Sequence, residues 1–176
     1  MLVASDKYRE IQFYTVKYVL LFLLLFTALF TVEGCATKDT VSTDPIDLPL
    51  FDTLSGDFPV SELGRLPPGQ QETPVGYIGD AETFIPIWRA FMPTEILPEV
   101  DFSNKIIVFS RNTQFYNQTL IFKVTLQDGT VEILAMETMS ALPIEDKVAM
   151  SMAVIPREGV MAIRAGTEEI RVTPYQ

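Results

Sequence analysis

The feature that most restricts this chain is the run from Tyr18 to Val32, YVLLFLLLFTALFTV, fifteen residues without a charge, followed at once by the region of the only cysteine, Cys35. Its length suits the apolar segment of a signal peptide. A bilayer span takes about 20 apolar residues at about 1.5 Å each, and this run stops at Glu33. Lys7, Arg9 and Lys17 precede it, as positive charges precede an export signal. An uncleaved anchor is the second reading. Ile11 to Tyr18 is also fairly apolar and would lengthen a tilted helix, with Lys17 reaching to the interface.

Val32-Glu33-Gly34-Cys35 resembles the lipobox of bacterial lipoprotein signals, with an apolar residue three positions before the cysteine and a small one directly before it. Glu33 departs from that pattern, where a small or apolar residue is usual. The resemblance implies cleavage before Cys35, acylation of its thiol and amine, and anchoring by two or three acyl chains, palmitate among them. Ala36, where an Asp often accompanies retention in the inner membrane, favours the outer membrane if the source is Gram-negative, and otherwise the outer face of the plasma membrane. Residues 1–34 are thus expected to be a lipoprotein signal peptide, leaving one domain and a tail.

Charge and composition exclude several functions. Formal net charge is -10, and residues 1–34 carry as many acids as bases, so the mature part keeps all of it. Nucleic acid needs clustered Lys and Arg, whereas thirteen scattered bases here face twenty-three acids. Histidine is absent, which removes the commonest general base and transition-metal ligand, together with every Ser-His or Cys-His nucleophile. A single cysteine allows no intrachain disulfide and no CxxC site. No cofactor or metal is expected.

From Ala36 to about Thr73, prolines at 45, 49, 59, 67 and 68 and many Thr, Ser and Asp read as a spacer without helix or sheet. Residues 35–74 are expected to form the lipidated N-terminus and tether, with Leu48 to Phe51 and Phe58 to Val60 docking on the domain surface or, as the second reading, forming a short partner-binding motif.

Residues 75–176 carry the pattern of a folded domain. Asp80 suits a helix N-cap; Phe84, Ile85, Trp88, Phe91 and Met92 recur at helical spacing, and Pro86 is awkward among them. Six β-rich runs follow, from Lys105 to Arg111, Thr119 to Leu126, Val131 to Met139, Lys147 to Ile155, Val160 to Arg164 and Glu168 to Thr173. The first is apolar on both faces and reads as a central strand. In the second, alternation puts Leu120, Phe122, Val124 and Leu126 inward, and Gln127-Asp128-Gly129-Thr130 forms a hairpin turn. The expected fold is α+β, mainly β: one N-terminal helix followed by five or six antiparallel strands in a sheet or small sandwich.

The aromatic pair Phe84 and Trp88, Leu97-Pro98-Glu99-Val100-Asp101-Phe102-Ser103, the strand from Lys105 to Ser110, and Val154-Ile155-Pro156-Arg157 together resemble the C-terminal domain of the protease complex subunit PrcB family, over residues 76–172. Where that family commonly shows a Gly-Gly-Tyr-like turn, this chain has Thr113 to Gln118. The resemblance implies an accessory role beside an exported protease, with no catalytic residues to carry over.

Candidate chemistry is sparse. Asp101 with Glu99 suits turn capping better than calcium, which takes six or more oxygens. Ser110 with Lys123, and Ser151 with Lys147, lack a strained elbow or oxyanion loop. Met136, Met139, Met150, Met152 and Met161 read as core filler, and Trp88 as core. Phe115 and Tyr116, in a polar loop from Asn112 to Gln118, suit contact with a partner. The expectation is a non-enzymatic, membrane-tethered accessory or protein-binding lipoprotein of the cell envelope, bound to membrane lipid through Cys35 and to an exported protease or other envelope protein. A carboxylate-dependent envelope hydrolase and a purely structural lipoprotein are the alternatives.

Overall fold

A computed structural model describes residues 44–112, 118–138 and 145–175. The chain divides into two units, Met1–Val41 and Ser42–Gln176, and the description below concerns the second. The segment expected to be a signal peptide and Cys35 lie outside the described residues, as do Phe115, Tyr116 and Met139.

The domain is mainly β. Its strands are β1 (Ile46–Asp47), β2 (Thr53–Pro59), β3 (Val75–Ile78), β4 (Lys105–Asn112), β5 (Thr119–Gln127), β6 (Thr130–Glu137), β7 (Lys147–Pro156), β8 (Ala162–Ala165) and β9 (Glu168–Arg171). A 3-10 turn spans Val60–Arg65, and one α-helix, α1, spans Ala81–Phe91. The strands form a four-stranded sheet, β2-β7-β4-β3, and a five-stranded sheet, β1-β5-β6-β8-β9. All pairings are antiparallel except β6 with β8, which is parallel. The helix is not N-terminal to the strands as expected, because β1, β2 and β3 precede it.

Two cores give the domain three layers. Every residue of β4 after Lys105 and every residue of β7 between its ends is buried, as expected for strands central to a sheet. Ile107 and Phe109 of β4, with Val148, Met150, Met152 and Val154 of β7, face the helix. Ile106, Val108, Ala153 and Ile155 face the other sheet, meeting Ile121, Val124, Val131, Ile133 and Ile163.

The helix begins where expected. The Asp80 carboxylate accepts from the Thr83 amide at 2.7 Å and from the Thr83 hydroxyl at 2.9 Å. Its buried stripe is Phe84, Ile87, Trp88 and Phe91, spaced three and four apart, so Ile87 takes the place expected for Ile85, which is exposed. Pro86 lies inside the helix. The rings of Phe84, Trp88, Phe91 and Phe102 pack with centroids 5.7 to 6.4 Å apart.

The stretch expected to be tether contains a full strand. β2 pairs with β7 residue by residue, from Thr53 opposite Ala153 to Pro59 opposite Lys147. The prolines do not prevent this, since Pro45 and Pro49 lie outside the strands, Pro59 ends β2, and Pro67 and Pro68 follow the 3-10 turn. Phe58 and Leu66 are buried in the helix-side core, and Leu48 and Leu50 pack on the inter-sheet core. Burial of side chains of this size contributes about 1.5–3 kcal/mol each, which holds the segment on the domain. The expected docking of the apolar islands is thus present, in part as sheet.

Candidate functional site

β5 and β6 form a hairpin closed by Asp128 and Gly129, both at positive φ (50° and 79°), which suits the strand twist of a two-residue turn. A β-bulge in β5 changes what this hairpin shows to solvent. Ile121 pairs with Ala135 and Lys123 with Leu134, so Phe122 has no partner of its own in the register. The extra residue resets the alternation. Ile121 and Val124 face the inter-sheet core, whereas Leu120 and Phe122, expected inward, point outward.

The result is a compact apolar strip on the outer face of the five-stranded sheet. Leu120 opposes Met136, and Lys123 opposes Leu134. Leu120 is 41% exposed, Phe122 54%, Leu134 38% and Met136 58%. Single exposed apolar residues are ordinary; four together on one hairpin are not. The rim is charged, with Glu132 on the same strand and Lys123 paired to Asp47 of β1 at 2.9 Å. At the far end, Thr138 N–H donates to the Gln118 carbonyl at 3.1 Å, so the pairing runs up to both ends of the described hairpin.

The bulge is braced from inside. The Ile121 amide donates across the sandwich to Ser151 Oγ at 3.1 Å, and Ser55 Oγ donates to the same oxygen at 3.1 Å. Ser151 in turn donates to the Leu54 carbonyl at 3.0 Å, so this fully buried hydroxyl has its one donor and both acceptor sites occupied. That removes Ser151 as a nucleophile. Lys147 pairs with Asp57 instead, and Ser110 is buried while its suggested partner Lys123 is held by Asp47.

Other sequence candidates resolve into structural roles. Asp101 accepts from the Ser103 amide (3.1 Å), the Ser103 hydroxyl (2.5 Å) and Asn104 Nδ2 (2.7 Å), which fixes the turn into β4. These donors, with the Ser103 hydroxyl foremost, hold its carboxyl below the ordinary aspartate value. Among the described residues no group of three or more His, Cys, Asp or Glu is placed to hold a metal ion. Met150 and Met152 are core, but Met136 and Met161 are exposed, against expectation.

Arg111 was not distinguished by the sequence. It is 1% exposed and donates from Nε to the Thr73 carbonyl at 2.6 Å, while Nη2 has no partner. Burial pushes its guanidinium below the ordinary value, and Glu72 opposes the shift. Leu134 and Met136 were missed as surface residues because nothing local in β6 announces which face its neighbour exposes.

Among the described residues, fold and strip together define a two-sheet β domain with a covering helix and an apolar surface on one hairpin. No protein-family model, no curated protein and no solved structure matches the chain. No helix among the described residues is long and apolar enough to cross a membrane.

Proposed function

We propose that this chain is an exported lipoprotein, acylated at Cys35, whose β domain has no enzymatic activity and binds another protein of the cell envelope through the outer face of β5 and β6. The observation that carries the binding reading is the strip of Leu120, Phe122, Leu134 and Met136. The partner is an exported protein presenting an apolar patch bordered by Lys or Arg, because the strip lies beside Glu132 on a chain of net charge -10. Phe115 and Tyr116, a few positions before β5 in the sequence, are assigned to the same contact in this proposal. An accessory role beside an exported protease follows from the PrcB-like residues. Lipid attachment is supported by the position of the lone cysteine after the apolar run.

A photo-crosslinking residue placed at position 122 in growing cells tests the binding role. The expected result is one dominant adduct with an exported protein, lost on Met136→Asp but kept on an outward substitution in β9, Glu169→Gln. Absence of an adduct, or adducts indifferent to Met136→Asp, would overturn it. Labelled palmitate incorporated equally by wild type and Cys35→Ser would overturn the lipid anchor.

A further inference from the structure

A cleft of about 720 Å³ opens where the start of α1 meets the last described residues of the chain, and it shares no residue with the apolar strip. Ligand sites occupy roughly 300–1,000 Å³. Its walls come from stretches far apart in sequence, and hydrogen bonds fix them to each other. Gln70 Oε1 accepts from the Tyr77 amide at 2.7 Å. The Tyr77 hydroxyl accepts from the Thr173 amide at 2.8 Å and donates to Thr173 Oγ1 at 3.1 Å. Arg157 donates from Nη2 to the Gly79 carbonyl at 2.5 Å and from Nε to the Phe102 carbonyl at 3.0 Å. A cleft so tied is formed before any ligand arrives, which reduces the ordering cost of binding.

The charges in its walls are not matched by one another. Arg157 spends its hydrogen bonds on neutral carbonyls, the third being Thr173 at 3.5 Å, and the Tyr175 ring covers it at 5.2 Å. No ion pair among the described residues includes it. A guanidinium has five N–H donors, so with three engaged one remains on each terminal nitrogen, the number a bidentate carboxylate takes. Asp80 and Glu82 line the same cleft and likewise form no ion pair. Cation and carboxylates therefore face one space without touching. Pro67, Pro68 and Pro174 also line the cleft.

We propose that this cleft binds a short peptide with both ends free, its terminal carboxylate on Arg157 and its terminal ammonium on Asp80 and Glu82. A cation and carboxylates that line one preformed cavity without an ion pair between them complement a zwitterion, and a peptide with free ends carries one charge of each sign. Blocking either end leaves one wall charge without its partner, so the free peptide is selected over its capped forms.

Calorimetric titration of the full-length protein in detergent tests this with trialanine, its N-acetyl form, its C-terminal amide and the doubly blocked form. Trialanine should bind, and each single block should weaken binding about tenfold or more, as loss of a charge-assisted hydrogen bond does. Glu82→Gln should narrow the preference for the free over the N-acetyl form, Asp80 remaining, while still rejecting the amide; Arg157→Gln should bind the amide and free forms nearly alike while still rejecting the N-acetyl form. Glu82 is exposed, so its variant keeps the test alive if Arg157→Gln fails to fold. Equal binding of the doubly blocked and free forms, no binding of trialanine at millimolar concentration, or an unchanged preference in Glu82→Gln would each overturn the proposal.

Discussion

Replacing Ser151 by alanine should destabilise the protein by about 1–3 kcal/mol, although the change removes a single oxygen. The magnitude follows from what each partner does afterwards. Ser55 is exposed, and its hydroxyl turns to water at little cost. Leu54 is 37% exposed and lies on β2, an edge strand of its sheet, so its carbonyl is the less confined of the remaining partners. The Ile121 amide has no such recourse, because Ile121 is 1% exposed and its N–H points into the sandwich at the bulge. Stranding one buried donor costs about 1–3 kcal/mol. With a urea dependence of about 1–3 kcal/mol per molar, the midpoint should fall by on the order of 1 M. The assay is equilibrium urea unfolding followed by the fluorescence of Trp88, the only tryptophan. Ser55→Ala is the internal control and should stay within about 0.5 kcal/mol of wild type. Equal losses in the two variants, or no loss in Ser151→Ala, would refute the idea that the inter-sheet bond to the bulge is the costly one.

Three further outcomes follow from the geometry. Gly76→Ala should cost about 1–3 kcal/mol by overpacking, because an added Cβ would collide with the Phe109 ring and with Gln70 Oε1; a thermal melt unchanged from wild type would contradict it. Asp80→Ala should lose about 1 kcal/mol of helix capping, measured by chemical unfolding, with Glu82→Ala serving as a comparison that leaves the cap in place. Asp101 stabilises the fold as a carboxylate, its folded-state value lying below the ordinary 3.8. Its contribution is present above that value and lost as pH falls through the lower folded one. The stability difference between wild type and Asp101→Ala should therefore be constant near neutrality and shrink under acid below pH 3.8, and a difference that grew on acidification would be contrary to this.

Local signals carried part of this fold. Apolar residues on both faces of β4 declared a central strand, and Asp128-Gly129 declared its hairpin, because each depends on a few adjacent residues. The strand β2 was hidden by its prolines, which matter for pairing only inside a ladder; here they stand at its end or beyond it. Strict alternation mispredicted Leu120 and Phe122, since a bulge is set by what the strand meets across the sandwich, here Ser151, thirty residues away. The helix stripe shifted from Ile85 to Ile87 because both spacings satisfy the helical period locally and packing on β4 and β7 decides. The cleft had no local signature at all. Tyr77 and Thr173, which close it, are ninety-six positions apart.

The way the chain enters the domain sets how the domain answers a pull. Tension arriving from the N-terminal side reaches β1 first, and β1 is held to β5 by a two-residue pairing, Ile46 opposite Leu126 and Asp47 opposite Thr125, with the Lys123–Asp47 ion pair and the Leu48 amide on the Val124 carbonyl beside it. Next in line is β2, with seven residues in register on β7. A short clasp ahead of a long one yields first, so a modest tug would lengthen the leash by the few residues of β1 while the two cores stay shut. Such a clasp acts as a mechanical fuse between whatever holds the N-terminal side and whatever grips the sheet.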